Sequence, residues 1–153
     1  MNRVTIRLVD PADRAARAAC FAVRKAVFCV EQQVPEHLEW DGLDDACRHF
    51  LAEDGGVAVG TARLRPYDNG TAAKIERVAV LRTARGRGIG LLLMQAALDD
   101  AWARGFAAAV LNAQTAVEGF YAQLGFRSEG EVFVEAGIPH IHMRLTLAGR
   151  AEP

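Results

Sequence analysis

A chain of 153 residues, 51% hydrophobic and 24% charged, is long enough for one domain, residues 1–153, because a domain of this size buries roughly 70% of its unfolded surface. A formal net charge of −1 excludes the broad basic field of a nucleic-acid binder, and no apolar run approaches the ~20 residues of a membrane helix. Three cysteines, Cys20, Cys29 and Cys47, are an odd number without CxxC spacing, so neither a zinc site nor a disulfide framework is indicated. The expectation is a cytoplasmic protein with free thiols that binds neither nucleic acid nor membrane.

Val4, Ile6 and Leu8 alternate with polar residues and predict a half-buried strand, not the apolar core of a secretion signal. Asp10-Pro11 reads as a helix start, with Asp10 as cap and Pro11 in the first helical position. Ala15, Ala18, Ala19, Ala22, Val23, Ala26 and Val27 then recur at helical spacing, so one helix or two abutting ones run to about Val30. Residues 31–45 lose that pattern and read as an acidic loop, long enough to be functional. Two strands follow at 47–52 and 57–65 around Asp54-Gly55-Gly56, and Asp68-Asn69-Gly70 turns the chain into a strand at 73–81. The clearest helix spans 89–104, with Ile89, Leu92, Leu93, Ala96, Ala97 and Ala101 as its apolar stripe and Gly105 as its stop. A buried strand at 107–111, a short helix at 116–124 and strands at 126–135 and 140–147, joined through 137–139, complete the order. The tail from Ala148 reads as frayed. The fold class is mixed α/β, with one sheet and flanking helices.

The chemistry concentrates where the strand ending at Leu81 meets the helix starting at Ile89. Between them lies Arg82 to Gly88, basic and glycine-rich. Glycines let the backbone approach an anion, the first helical N–H groups have no intrahelical partner, and the helix dipole adds positive potential. Arg82, Arg85 and Arg87 add formal charge, which suggests a small anionic ligand. The Walker loop is absent, and Gly86, Gly88 and Gly90 do not give the dinucleotide spacing. There is no HExxH and no GxSxG.

Arg85, Gly88 and Gly90 fill the pattern Gln/Arg-x-x-Gly-x-Gly/Ala, and together with Val78–Val80 they resemble the acyl-CoA-binding motif of the GNAT N-acetyltransferases. Downstream, Leu111-Asn112 and the run from Phe120 through Tyr121 to Gly125-Phe126 (FYxxLGF) resemble a second motif of that superfamily. Residues 23–28 with Glu31, Gln32 and Gln33, then Asp41 and Asp44, and finally residues 137–141, are similar to its ElaA-like branch. The resemblance covers about 4–147. It implies a GNAT-type fold with a mostly antiparallel sheet of about seven strands, splayed at its centre, and acetyl-CoA as cosubstrate. It further implies that the backbone of Val78, Ala79 and Val80 pairs with the pantetheine arm and that Arg85, Gly86, Arg87, Gly88, Ile89 and Gly90 hold the pyrophosphate. Asn112 would face the pantetheine, and Tyr121 would sit by the sulfur as general acid.

Several alternatives stay open on sequence alone. Tyr121 is either the acid or a core aromatic. Glu76, two residues before Val78 and so on the same strand face, is either the general base or an ion-pair partner. Asn112 is either a pantetheine contact or a turn residue. His140 and His142 share a face; His140 fits the branch pattern and is a candidate for the acceptor side, while no third metal ligand accompanies them. Glu31, Gln32 and Asp41 are the other acceptor-side candidates. If the acidic loop borders the pocket it favours a cationic amine; otherwise it is a solvated surface. The implied activity is acetyl transfer to a small-molecule or protein amine by a monomer or homodimer. The alternative is a non-catalytic acyl-CoA sensor on the same fold.

Overall fold

A computed structural model describes residues 3–149. Its strands are β1 (Val4–Leu8), β2 (Arg48–Asp54), β3 (Val57–Tyr67), β4 (Ala72–Val80), β5 (Ala108–Gln114), β6 (Arg127–Glu135) and β7 (Ile138–Thr146). They form one sheet in the order β1-β2-β3-β4-β5-β7-β6. Only β4 and β5 run parallel; every other pair of neighbours is antiparallel. The helices are α1 (Arg14–Arg24), α2 (Glu36–Glu39), α3 (Ile89–Ala103) and α4 (Glu118–Gln123). The expected mixed α/β sheet is the one observed.

The two faces of the sheet carry different helices. On one face Leu93, Met94, Ala97 and Ala101 of α3 pack on Phe50, Ala62, Leu64, Ala73 and Ile75. On the other, Cys20 of α1 packs on Leu51, and Val23 and Val27 pack on Ala79. Alternation along a strand produces this division, since Phe50 and Leu51 are neighbours yet face opposite ways. In α3 the buried stripe includes Met94 and Leu98, while Leu92 is only half-buried.

Asp10 does not cap α1. Its carbonyl takes Asp13 N at 2.8 Å and its side chain takes Ala12 N at 2.9 Å, so residues 10–13 form a turn with Pro11 in its second position. The helix starts one turn later, where Asp13 accepts from Ala16 N at 3.0 Å. α1 continues without a break as a π-helical stretch, Lys25–Glu31. The segment read as a loop contains α2 and a 3₁₀ turn, Asp44–Ala46. β6 and β7 meet in a two-residue turn, Ala136-Gly137, with φ of 51° and 75°. Pro139 therefore lies inside β7, where it costs no ladder bond to β5 because that pairing ends at His140. At the C-terminus Leu147 N and Ala148 N both bond Ala107 O; residues 150–153 of the predicted frayed tail lie outside the described residues.

The sheet opens in the middle. β4 and β5 pair from Ala72↔Ala108 to Lys74↔Val110 and then part. The cause is a bulge in β4: Thr61 faces Ala79 and Arg63 faces Glu76, so one residue of β3 opposes two of β4. Arg77 sits there with φ of 57°, a left-handed conformation that bends and twists the strand. The bulge also breaks the alternation on which the placement of Glu76 was based. Ile75 and Val78 both face α3, whereas Glu76 turns to the α1 side with Arg63. Glu76 and Val78 are on opposite faces.

Candidate active site

The parted strands form the walls of a cleft of about 930 Å³, within the usual range for ligand sites. Ile75 to Val80 line one wall, Leu111, Asn112 and Gln114 the other, and Gly86, Gly88, Ile89 and Gly90 close one end. Leu81 N bonds Val59 O at 2.9 Å. By alternation the main-chain groups of Val80 and Val78 therefore point away from β3 and into the gap. An extended ligand can pair with them as a strand would.

At the closed end, Gly86 and Gly88 have φ of 80° and 79°, values that favour glycine strongly. The first helical bond of α3 runs from Leu92 N to Gly88 O. The N–H groups of Ile89, Gly90 and Leu91 thus have no intrahelical acceptor, and no side chain caps them. This is an anion cradle made of backbone. The arginines are less available than their charge suggested. Arg85 gives Nε to Val80 O at 3.0 Å and both Nη atoms to Glu31 at 2.6 and 2.7 Å. Arg87 pairs with Asp54 at 2.8 Å and does not line the cleft. Glu31 likewise lies at the cradle end, between Arg85 and Arg82, and not with the acceptor-side residues.

Tyr121 is both packed against aromatic neighbours and open to the cleft. Its ring packs edge-on to Phe120 at 5.0 Å and Phe126 at 6.2 Å, and it also lines the cleft. Burial pushes its hydroxyl up to about 12, so it keeps its proton at neutral pH. Asn112, on β5, has Oδ1 2.8 Å from His142 Nδ1. Gln114 donates to Gln32 at 2.9 Å, which ties the end of β5 to the segment after α1. His140 is buried, stacks on Phe133 and holds Nδ1 2.7 Å from Ile138 O.

Opposite the cradle, the cleft floor is a network of charges that sequence reasoning missed. Arg24 and Arg63 are fully buried. Arg24 reaches Glu39 at 2.8 Å and Asp44 at 2.6 Å. Arg63 grips Asp41 with both Nη atoms, at 3.0 and 2.6 Å, and also meets Asp44 at 2.9 Å and Glu76 at 3.2 Å. Arg77 holds Asp41 and the carbonyls of Leu38 and Glu39. Its Nε is 3.0 Å from Glu39 but lacks hydrogen-bond alignment. Burial opposes ionisation of Asp41, but the hydrogen bonds from Arg63 and from Leu43 N outweigh it and hold the carboxyl well below its usual range. The acidic segment borders the cleft through Glu39 and Asp41, and its Glu36 and Asp45 are exposed, but Glu39, Asp41 and Asp44 do not carry free charge. They are neutralised by guanidinium groups from α1, β3 and β4.

Glu76 is part of the same network. Burial raises its pKa, but Arg65 at 2.6 Å, Arg63 and Lys74 together lower it below the ordinary value. A carboxylate so held is a weak proton acceptor.

These residues fall inside a known family. The Acetyltransferase (GNAT) domain profile matches residues 12–147, and the chain belongs to the GNAT acetyltransferase family. Among curated relatives, the uncharacterized N-acetyltransferase YjcF of Bacillus subtilis is 42% identical over 128 residues, covering 80% of this chain and 87% of that protein. Escherichia coli ElaA has a TM-score of 0.82 and 30% identity, over 92% of this chain and 98% of ElaA, in keeping with the branch that residues 23–44 and 137–141 indicate. A GNAT family acetyltransferase from Elizabethkingia anophelis, solved with acetyl-CoA bound, shares the fold at a TM-score of 0.67 and 17% identity, over 95% of this chain and 99% of that one.

Proposed function

We propose that this protein is an N-acetyltransferase that moves the acetyl group of acetyl-CoA to a primary amine by direct attack in a ternary complex. The observation that carries it is the continuity of the parted β4–β5 gap with the backbone cradle at the start of α3. An extended thioester with a diphosphate at one end fits that combination. The amine nitrogen forms a bond to the thioester carbonyl carbon, and the carbon–sulfur bond breaks. Tyr121 gives its proton to the departing sulfur and regains one, through water, from the amine. Holding both reactants in the cleft supplies up to about 7–11 kcal/mol, and general acid catalysis by Tyr121 adds ~10²–10⁴-fold. Glu76, fixed by Arg63, Arg65 and Lys74, acts as a charge that orients the acceptor side, and solvent takes the ammonium proton. The enzyme works in this reading as a cytoplasmic monomer or homodimer.

Thermal stability with acetyl-CoA, CoA and ATP tests the cofactor. A ligand at ~100 Kd should add about 2.7 kcal/mol. A shift with both CoA species and none with ATP is expected, followed by thiol release with an amine. No shift at millimolar CoA overturns the assignment of the cradle.

One observation favours the second reading, a non-catalytic acyl-CoA sensor: Glu76 is poorly suited to be a base. A sensor binds CoA equally well with Tyr121 or with Phe at that position and releases no thiol in either form.

A further inference from the structure

At the acceptor end, five cations, Arg24, Arg63, Arg65, Lys74 and Arg77, share four carboxylates, Glu39, Asp41, Asp44 and Glu76. Counted over these ion pairs, cations exceed carboxylates by one; Glu135 also lines the cleft, 3.8 Å from His140. That excess is not spread evenly. Arg24 and Arg63 are fully buried and saturate their partners, and Arg77 is committed to the segment around α2. The buried Nε atoms of Arg63 and Arg77 also lack a hydrogen-bond partner, but Arg65 and Lys74 keep terminal donors that make no hydrogen bond among the described residues, and both line the cleft.

Arg65 spends only Nε, on Glu76 at 2.6 Å, and its Nη1 and Nη2 make no hydrogen bond among the described residues. Lys74 has its nearest carboxylate oxygen, on Glu76, at 3.7 Å, too far for a hydrogen bond. Its side chain is only 12% exposed, and that of Arg65 23%. Both charges lie over the ring of Tyr67, at 5.0 and 5.8 Å. The two are cross-strand partners at the place where β4 and β5 part.

We infer that the acceptor is an amine that carries a carboxylate, held by Arg65 and Lys74 at the point where β4 and β5 separate. The inference rests on the N-acetyltransferase reading. The two unused Nη groups of Arg65 present a planar edge that matches the two oxygens of a carboxylate, and a single excess positive charge suits a monoanion better than a dianionic phosphate. A polyamine finds the loop acids already paired and two cations in its path.

The test uses the full chain, acetyl-CoA and matched acceptors: an α-amino acid against its amide, phosphoethanolamine against ethanolamine, and spermidine. Thiol release should favour the amino acid over its amide by about tenfold or more in kcat/KM, mainly through KM, as a charge-assisted pair implies. Equal rates for acid and amide, or a preference for spermidine, overturn the inference and leave the acetyltransferase reading standing. Preference for phosphoethanolamine overturns the choice of carboxylate. Calorimetry separates the two claims: an N-acetyl amino acid should bind the CoA-saturated protein and its amide should not. If the acid binds without turnover of any amine, the subsite stands and the enzymatic reading fails. If neither binds, the subsite is refuted. Arg65→Gln and Lys74→Gln should each erase the preference for acid over amide while CoA still raises the thermal midpoint. A preference that survives in both variants refutes the assignment, and the wild-type comparison decides the matter without any variant.

Discussion

The two ends of the cleft are built by different means. The cradle end is main chain: N–H groups at the start of α3, aimed by Gly86 and Gly88, with both glycines at positive φ. The other end, where the proposed acceptor sits, is side chain: Arg24, Glu39, Asp41, Asp44, Arg63, Glu76 and Arg77, brought together from α1, the segment after it, β3 and β4. A backbone site depends on a few consecutive residues and on no partner elsewhere in the chain. A buried charge network depends on every member, because removing one leaves its partners uncompensated.

Four substitutions sharpen or break that contrast, the largest effect first. Arg63→Met leaves Asp41, Asp44 and Glu76 without their buried cation and should cost about 3–5 kcal/mol of stability, read by chemical denaturation; a loss under ~1 kcal/mol would show that the network is not a structural unit. The same carboxylates give the network an acid limit. Their folded pKa values lie below the unfolded ones, so the stabilisation is present above about pH 4 and fades as pH falls through the folded values.

Tyr121→Phe should lower kcat about 100-fold, equivalent to ~2.7 kcal/mol, with KM and thermal midpoint little changed. Unchanged kcat would return Tyr121 to a purely packing role. Because burial lifts its hydroxyl from 10.0 to about 12, its contribution to stability should be complete below pH 10 and lost as pH rises from about 10 to 12.

Gly88→Ala places a Cβ in the left-handed region at φ of 79°, at a cost of roughly 1–2 kcal/mol. Weaker CoA binding with an unaltered acceptor KM is the expected pattern; an effect on the acceptor alone would invert the assignment of the two ends. Glu31→Gln is the mildest. Glu31 pairs with Arg85 and Arg82 near the surface, so the thermal midpoint should stay nearly constant and the acceptor KM should not move. A raised acceptor KM would move Glu31 back to the acceptor side.

Much of the cradle was legible because its cause is local. A β-type run, an arginine- and glycine-rich turn and a helical stripe follow one another from Ile75 to Ala101, and each signal needs only its neighbours. Tyr121 was located by the FYxxLGF resemblance. The misplaced residues share a different cause. Asp10 looked like a cap because Pro11 follows it, yet Asp13 offers the same chemistry three residues later and takes the N–H of Ala16. Glu76 was put on the face of Val78 by simple alternation, and no glycine marks the bulge at Arg77 that reverses it. Glu31 looked like an acceptor-side acid because the segment that follows it is acidic.

By itself, then, the sequence of this protein determined the order of strands and helices, the glycine cradle and the membership in a family, since periodicity, turn chemistry and motif are properties of consecutive residues. Only the tertiary structure decided that Glu39, Asp41 and Asp44 pair with guanidinium groups and that Arg65 and Lys74 bring unused donors to the cleft. Which carboxylate pairs with which guanidinium depends on distances between residues far apart in the chain, and those distances exist only once the sheet has formed.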